Sequence, residues 1–436
     1  MVGTLFGLTI VAAFMGAPLL SILGFQAAIG FHFITKVPLE AMSTKVQGLM
    51  TAPGILAMPV FTFMGYILSY GKTSQRIANV ADTWFGWLPG GLAIATVIAY
   101  TVFCSITGGS ALAVMALGGI YYSALIKDGY DKNFSLGVCT VCGGEGMLFP
   151  PSVPVIIMAF IAYESIDALY AGGLLPGLVV VSIFLVYCVI HSIRTGIPSK
   201  PFSLKKALRS LWEIGLEVPL PVFIIGGIFS GWITVTEVAA LSLAYVAVAE
   251  CLIRREVSLE EFKKASVDSM ILTGAIFAIL VSALAFSNFL VDEQIPQKFL
   301  EFLQHFFKSK WTFLVFLNII LLITGCLMDV YSAILVMVPL LLPVSKGYGI
   351  DPIHFAVIFL WNLEIGYSTP PIGFNLFIGM FRFKEPLEKI WHAAIPRLAI
   401  QVLGLIVITY WPGLSLWLPR VLGMRQEMIP LNLMGG

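Results

Sequence analysis

Charged residues are scarce in this sequence of 436 residues. Only 11% of the residues are Asp, Glu, Lys or Arg, and 58% are hydrophobic, whereas a soluble domain has about 25% charged residues. The composition therefore predicts an integral membrane protein, whose unit of length is a span of about 20 residues. The net charge is only +1. This argues against a nucleic-acid partner, because such proteins carry a strongly basic face.

The residue sets of an intramembrane enzyme are also missing. None of the five histidines is spaced as a zinc pair, and Asp329 has no aspartate partner in another apolar segment. The six cysteines form no disulfide framework, and Cys139 and Cys142 are best explained as small core residues of an apolar helix. We therefore expect no enzymatic activity. The first ten residues contain no Lys or Arg, so we expect a retained membrane segment and not a cleaved signal.

Positive charges can be kept out of the membrane altogether, because all 25 Lys and Arg residues can be assigned to connections or chain ends. Carboxylates do occur in or beside apolar segments, where each costs about 2.5 to 3.5 kcal/mol. Glu237 is expected to start a helix, and Glu164 to lie near the outer surface. Glu145, Asp329 and Glu364 remain as functional candidates.

The segment GGEGMLFPPSVP, from Gly143 to Pro154, interrupts one of these apolar segments. Proline lacks the backbone N–H and disfavours a helical conformation of the residue before it, so the Pro150-Pro151 pair must break a helix over 136 to 166. The break frees peptide groups at membrane depth. Such groups are tolerated only where protein buries them or where they line a cavity.

A second break lies at Pro370-Pro371, in the other half of the chain. The offset in residue number from Pro150-Pro151 to this pair also relates four further pairs: Gly129 and Gly349, Asp131 and Asp351, Gly146 and Gly366, Pro176 and Pro396. Paired apolar segments interrupted by Gly or Pro mark the binding site of secondary transporters. The sequence thus predicts an internal repeat, inverted in the membrane because an odd number of crossings separates the two breaks.

Each repeat is expected to contain a re-entrant hairpin and a broken helix. The arms of the first hairpin are 88 to 104 and 111 to 126, and those of the second are 311 to 325 and 331 to 345; the broken helices are 136 to 166 and 352 to 381. Residues 3 to 35 form either one long helix or two pieces. The other predicted elements are an amphipathic surface helix at 72 to 85 and spans at 53 to 70, 169 to 191, 213 to 232, 234 to 253, 268 to 291 and 393 to 418.

Loop charges orient the chain. The connections 192 to 212 and 254 to 267 hold nine Lys and Arg residues and are expected in the cytoplasm. Hairpin tips and breaks would then meet near the middle of the membrane. Their helix N-termini suit a carboxylate, and their carbonyl and hydroxyl groups suit sodium. The hydroxyl candidates are Ser105, Thr107, Ser110, Ser152, Ser368 and Thr369, although hydroxyls in membrane helices often bond their own backbone.

Several motifs resemble the large membrane subunit of tripartite ATP-independent periplasmic (TRAP) transporters. They are FGWLPGG at Phe85, SITGGSA at Ser105, GGEGMLFPPSVP at Gly143, GGIFSGWITVTEVAA at Gly226, GCLMD at Gly325, GYSTPPIGFNLF at Gly366 and ITYWPGLSLWLP at Ile408. The resemblance implies an all-α polytopic membrane protein with an inverted-repeat ion-transporter fold. It implies import of small organic acids, such as C4-dicarboxylates or sialic acids, by sodium symport and an elevator motion.

The resemblance also implies that the chain is divided into scaffold segments and transport segments. Scaffold segments would be 1–87, 167–307 and 382–436, and transport segments 88–166 and 308–381. Partners would be a small four-helix membrane subunit, a periplasmic substrate-binding protein, a carboxylate substrate and the lipid bilayer of a bacterial or archaeal cytoplasmic (inner) membrane.

At least two sodium sites are implied. The ligand candidates are Ser105, Ser110, Gly143, Gly144, Pro150, Gly325, Asp329, Gly366, Thr369 and Pro370. The substrate candidates are Ser105, Thr107, Gly108, Ser110, Ser152, Asp329, Thr369 and Asn375. The chain departs from the family pattern at Thr107, Val235 and Glu145. These departures leave open a proton-coupled alternative that uses Glu145 and Glu364.

Overall fold

The computed structural model describes residues 7, 9, 11, 12, 15, 17–35, 54–199, 201–370 and 373–424. Its described secondary structure is helical throughout, as predicted. The first half contains α1 (Leu19–Ile29), α2 (Ala57–Tyr70), α3 (Thr73–Phe85), α4 (Gly91–Thr107), α5 (Ser110–Lys127), α6 (Lys132–Val141), α7 (Val153–Ala162), α8 (Ile166–Thr195) and α9 (Leu204–Glu213). The second contains α10 (Pro219–Ser230), α11 (Val235–Ala247), α12 (Leu259–Asp292), α13 (Ile295–Phe306), α14 (Lys310–Leu327), α15 (Val330–Gly347), α16 (Pro352–Tyr367), α17 (Phe374–Phe383), α18 (Leu387–Tyr410) and α19 (Pro412–Val421).

Seven helical segments of the described chain are long and apolar enough to cross a membrane. They are α5, α8, α11 with the π-helical turn that extends it to Ile253, α12, α14, α15 and α18. Helix α1 begins directly after Pro18. Most of the chain before Pro18 lies outside the described residues, so the choice between one and two N-terminal pieces stays open.

Both predicted hairpins are present as helix pairs. Helices α4 and α5 pack against each other around Gly108 and Gly109, and α14 and α15 are joined through Met328 and Asp329. Each connection is only a pair of residues. The re-entrant position of the hairpins in the membrane stays a prediction.

Both predicted broken helices are interrupted at the proline pairs. Helix α6 ends at Val141, continues as a short 3₁₀ turn over Cys142–Gly144, and is followed by irregular chain until α7 begins at Val153. Helix α16 ends at Tyr367, and α17 begins at Phe374.

The structure reproduces the repeat at the predicted offset. Asp131 caps α6 by accepting the N–H of Phe134 at 2.7 Å. Asp351 caps α16 by accepting the N–H of Ile353 at 2.9 Å. Two residues before each cap, Gly129 and Gly349 have positive φ angles of 93° and 71°. This conformation is energetically unfavourable for a residue that carries a side chain. The shared residues are thus those that set the turn and the helix start.

The broken helices lie in the interior of the fold. Helix α6 packs against α18, and α16 packs against α14, α8 and α18. Phe355, Phe359 and Trp361 of α16 are fully buried. The first break is also buried, from Cys142 to Leu148 and again from Pro150 to Ser152, as unpaired peptide groups require in a membrane.

Two predicted spans have different limits in the structure. The span at 213 to 232 is helical only over Pro219–Ser230, which is about 18 Å at a rise of 1.5 Å per residue. The span at 393 to 418 is divided into α18 and α19. The division lies at Pro412, because proline removes a helical hydrogen bond and biases the preceding Trp411 away from a helical conformation.

The prediction that no positive charge lies within a span was wrong. Arg397 lies in the middle of α18 with 3% of its surface exposed. Its guanidinium carbon lies 4.8 Å from the ring centre of Phe134 and 5.5 Å from that of Tyr187. Cation–π contacts therefore stabilise this charge where no carboxylate is paired with it among the described residues.

Helix α3 forms over nearly the predicted range, but it is not confined to a surface. Arg76 is buried and pairs with Glu217, with Glu250 at 2.8 Å and with Glu256 at 2.6 Å. Glu217 and Glu256 lie in two other connections of the fold, and Glu250 lies in the π-helical turn after α11, so the pairs join α3 to all three. Glu237 forms a capping box with Thr234, which confirms its predicted role at a helix start. Glu164 lies half-buried after the end of α7.

Candidate functional site

A cavity of about 410 Å³ lies where the hairpin tips and the helix breaks meet. The first hairpin contributes Thr107 to Leu112, the second contributes Asp329 to Tyr331, and the breaks contribute Val153, Pro154, Tyr367 and Phe374. Helices α2 and α12 close another side with Thr62, Tyr66 and Leu272. Its volume is within the range of small-molecule sites. The predicted convergence of the four elements is therefore confirmed.

The tip of the first hairpin depends on Gly108. This residue has a positive φ of 72° and donates its N–H to Cys104 at the end of α4. A Cβ at this position would lie 2.9 Å from Cγ2 of Val153, the first residue of α7. Glycine is therefore needed both for the turn and for its contact with the first break.

Each break also has a glycine beside it that closely contacts the backbone of the neighbouring hairpin. A Cβ on Gly146 would lie 2.6 Å from the backbone nitrogen of Ser105, and a Cβ on Gly366 would lie 2.6 Å from the Cα of Gly325. Ser105 and Gly325 are themselves related by the offset of the repeat. The same backbone contact therefore occurs twice and fixes each break to its own hairpin.

Asp329 occupies the tip of the second hairpin. Its carboxylate caps α15 by accepting the N–H of Ser332 at 3.0 Å and the hydroxyl of the same residue. Unlike the other acidic candidates, it is exposed at the cavity wall. The structure thus places a negative charge beside the cavity.

Three of the six candidate hydroxyls bond the backbone of their own helices. Ser105 donates to the carbonyl of Val102, Thr107 to that of Phe103, and Thr369 to that of Ile365, at 2.6 to 2.9 Å. Among these three, only Thr107 lines the cavity. The hydroxyl oxygens keep a lone pair, but their orientation is set by the helix and not by a ligand.

A buried polar chain leads away from the cavity through Ser110. Its hydroxyl donates to Oδ1 of Asn375 at 3.2 Å, and the Asn375 amide donates to Oε1 of Glu364 and to the hydroxyl of Ser368, both at 3.3 Å. Ser110 lines the cavity, whereas Asn375 and Glu364 are fully buried behind it. Asn375 therefore connects the first hairpin with the second break.

The two buried glutamates are Glu145 in the first break and Glu364 in the last turn of α16. Glu145 is fully buried and accepts a hydrogen bond from the amide of Gln401 at 3.3 Å. A side chain on Gly144 would overlap the carboxyl group of Glu364, so the first break lies directly against this carboxyl. The Oε2 atoms of both glutamates have no hydrogen-bond partner among the described residues.

Comparison with known proteins identifies the family. A family model for the DctM component of tripartite ATP-independent periplasmic transporters matches residues 6–414. The C4-dicarboxylate TRAP transporter large permease protein DctM of Pseudomonas aeruginosa is 34% identical over 403 residues, covering 92% of this chain and 94% of that protein. The ectoine/5-hydroxyectoine TRAP transporter large permease protein UehC of Ruegeria pomeroyi is 30% identical over 427 residues, covering 96% and 98%. This chain belongs to the DctM family.

A solved structure supports the fold of this DctM-family permease. The crystal structure of the Alcanivorax borkumensis YdaH transporter superposes with a TM-score of 0.63 at 10% identity, covering 86% of this chain and 87% of that one. The permease is a transporter subunit and not an enzyme. With seven candidate spans in its described part, it is a multi-pass inner-membrane protein.

The permease brings only some of the predicted site residues to the cavity. Thr107, Gly108, Ser110 and Asp329 line it. The remaining candidates lie in the walls behind it or elsewhere in the breaks: Ser105, Gly143, Gly144, Glu145, Pro150, Ser152, Gly325, Glu364, Gly366, Thr369, Pro370 and Asn375. Gly143 lies against the first hairpin, since a Cβ there would be 2.9 Å from the carbonyl oxygen of Ser110.

Two of these wall residues have contacts of their own. Ser152 precedes α7, and its carbonyl accepts the hydroxyl of Tyr170 at 2.9 Å. Pro150 forms a cis peptide bond with Pro151.

Gln401 and Arg397 are the residues of this region that sequence reasoning missed. Both lie in α18, four residues apart, and Gln401 is fully buried against Glu145. A signal was present in the sequence, because a polar pair at helical spacing within an apolar run marks one face of a helix. The lining of the cavity by Tyr66 and Leu272 was also missed, and no local signal connects them with the hairpins.

Proposed function

We propose that this permease imports a small organic acid by sodium symport. The observation that supports the proposal best is the arrangement of helix starts at the cavity. Helices α5, α7 and α17 begin at its wall without a side-chain cap, whereas Asp329 caps the start of α15. The N–H groups of a first helical turn lack intrahelical partners and carry a partial positive charge, so they attract a carboxylate.

The relatives support the substrate class. They are named for C4-dicarboxylates and for ectoine and 5-hydroxyectoine, all of which carry a carboxylate. The family name describes a tripartite periplasmic system. We therefore propose as partners a small membrane subunit and a periplasmic protein that delivers the substrate. Transport would proceed by an elevator motion of the hairpins and broken helices against the remaining helices.

Sodium would bind at the two contacts between a break and a hairpin. The first would use groups near Ser105, Ser110 and Gly143, and the second would use groups near Asp329 and Thr369. Backbone carbonyls at these breaks are freed from regular helical bonding, and small hard cations favour such oxygen ligands.

The sodium proposal can be tested on the purified permease by thermal unfolding in sodium chloride against potassium chloride at equal ionic strength. A ligand at about one hundred times its dissociation constant stabilises the folded state by roughly 2.7 kcal/mol. We expect a sodium-specific rise in the midpoint that Ser105→Ala and Thr369→Ala reduce. Ser182→Ala is the matched control, because this exposed hydroxyl bonds the carbonyl of Leu178 in the same way. Equal midpoints in both salts would refute sodium binding.

Proton coupling through Glu145 and Glu364 is the second candidate. It is favoured by the burial of two neighbouring carboxyl groups, because two negative charges at one buried site repel each other. If protons drive transport, Glu145→Gln and Glu364→Gln should abolish uptake driven by a pH gradient. Retained sodium-driven uptake in the same variants would assign the coupling to sodium.

A further inference from the structure

Helix α9 (Leu204–Glu213) is too short to cross a membrane, because its 10 residues rise only about 15 Å. It lies where several spans end. Helix α8 ends at Thr195, shortly before α9 begins. Arg254, which follows the π-helical turn after α11, donates to the carbonyl oxygen of Glu213 at 2.7 Å. Helix α9 therefore belongs to the layer of the two basic connections that are expected in the cytoplasm.

One face of α9 is packed against α3. Ala207 and Ser210 are buried, and the hydroxyl of Ser210 lies 2.8 Å from that of Thr83 in α3. The amide of Asn79, also in α3, donates to the carboxylate of Glu213 at 2.9 Å. These contacts fix the rotation of α9 about its own axis, so its other faces have defined directions.

A second face of α9 is apolar and exposed. It consists of four residues at helical spacing, with 36% to 88% of their surfaces exposed: Leu204, Leu208, Leu211 and Trp212. Phe202, just before the helix, is exposed as well, and its ring centre lies 6.1 Å from that of the exposed Trp87. Tryptophan is enriched where a membrane meets water. The position of this face and its tryptophan both indicate contact with lipid.

A third face of α9 is basic. It carries Lys205, Lys206 and Arg209. The two lysines are exposed and have no ion-pair partner among the residues that the structure describes. Arg209 forms an exposed pair with Glu213 at 3.1 Å. Positive charge without a protein partner is thus available beside the apolar face.

From these features we propose that α9 binds anionic phospholipids of the leaflet at its end of the spans. The apolar face would lie at the boundary between headgroups and acyl chains, and Lys205 and Lys206 would bind lipid phosphates. Short helices with Leu and Trp on one face and Lys or Arg on the other bind membranes in this way. A protein partner on the apolar face would leave both lysines in water, whereas an anionic leaflet engages both faces at once.

The first test is thermal unfolding of the full-length permease in detergent with added lipid. Dioleoylphosphatidylglycerol should raise the midpoint more than dioleoylphosphatidylcholine, because only the first has a net negative headgroup. The double variant Lys205→Gln, Lys206→Gln should need a roughly thirty-fold higher concentration of the anionic lipid for half the maximal rise, since each basic residue contributes a factor of about five. Its response to the neutral lipid should not change.

The control for this test is Lys346→Gln with Lys384→Gln, which removes the same charge from two exposed positions outside α9. It should leave the response to both lipids unchanged. Equal stabilisation by the two lipids in the unmodified permease would overturn the proposal. Equal weakening by the two double variants would also overturn it, because the lipid would then respond to net charge and not to α9.

The second test locates the apolar face in proteoliposomes that contain the permease alone. The fluorescence that Trp212→Phe removes should be quenched by lipids brominated on their acyl chains, and not by iodide present on both sides. Quenching by iodide alone would place this face in water and overturn the proposal. Quenching by neither agent, together with a dimer in solution, would assign the face to a second copy of the chain and would also overturn it.

Discussion

The contact between Gly325 and Gly366 allows a quantitative test of how the second break is held. A Cβ on Gly366 would lie 2.6 Å from the Cα and carbonyl carbon of Gly325 and 2.9 Å from the nitrogen of Cys326. Carbon atoms pack best at about 3.5 to 4.0 Å. Gly366→Ala therefore requires α14 and α16 to separate by about 1 Å, and both obstructing segments are backbone that cannot rotate away.

Overpacking of this kind costs about 1 to 3 kcal/mol, and we expect Gly366→Ala at the upper end. Gly325→Ala should cost less, because its Cβ would lie 3.1 Å from the Cα atoms of Gly366 and Leu363. Gly274→Ala is the control, since a Cβ there meets nothing within 4 Å. Because alanine favours a helix more than glycine does, this control should be neutral or slightly stabilising.

The assay is the apparent unfolding midpoint of the three purified variants at one heating rate, together with uptake into proteoliposomes. One heating rate is essential, because membrane proteins can unfold irreversibly. The expected order of stability is Gly274→Ala, then Gly325→Ala, then Gly366→Ala. Uptake should fall in the same order, because the break and the hairpin tip move apart. Equal midpoints for Gly366→Ala and Gly274→Ala would refute the close contact.

Two further predictions concern charges outside the cavity. Arg76→Ala should destabilise the permease by about 3 to 5 kcal/mol by leaving Glu217, Glu250 and Glu256 without this partner. Arg76→Lys should lose an intermediate amount of stability. Arg209→Ala breaks an exposed pair with Glu213 and should have no measurable effect on stability. An equal loss of stability in Arg76→Ala and Arg209→Ala would contradict the reasoning. Hydrogen bonds from Lys132 and Lys389 hold the pKa of Glu385 below its ordinary value. The stabilisation by this carboxylate is therefore present at neutral pH and is lost as the pH falls through that lowered pKa. When the unfolding midpoint is measured against pH, Glu385→Gln should reduce the loss of stability at acid pH. Glu301→Gln, on the exposed face of α13, should not reduce it. Identical pH dependence in the two variants would refute the pairing of Glu385 with the two lysines.

The sequence was most informative where residue type restricts the backbone. Proline pairs predicted both helix breaks, and the glycine and aspartate residues at a constant offset predicted an internal repeat, in which the structure shows matching turns and helix caps. These features are local, because a missing N–H or a positive φ acts within one or two residues. The apolar runs predicted a membrane protein for a similar reason, because each span must be apolar enough in its own sequence to lie in the bilayer.

Side-chain partners could not be predicted in the same way. Arg397 falls inside the predicted span at 393 to 418, although no positive charge was expected in a span, because its compensation comes from Phe134 and Tyr187 on other helices. Arg76 was placed on a surface because the polar residues of 72 to 85 are spaced as on an amphipathic helix, although three distant glutamates surround it. The hydroxyls of Ser105 and Thr369 were candidates for ligands, yet their own helices satisfy them. The environments of the two arginines depend on tertiary contacts that no local pattern encodes, whereas the two hydroxyl bonds are local.

The two repeats agree in backbone and differ in chemistry at the cavity. The starts of α5 at Ser110 and of α15 at Val330 are related by the offset of the repeat, so their capping residues Gly109 and Asp329 occupy equivalent positions. One repeat thus presents an uncapped helix start to the cavity, and the other presents a carboxylate. A symmetric pair of glycines would make the site attractive to anions from both sides. The single Gly-to-Asp difference therefore gives the two sides of the cavity opposite polarity, with an uncapped helix start on one side and a carboxylate on the other.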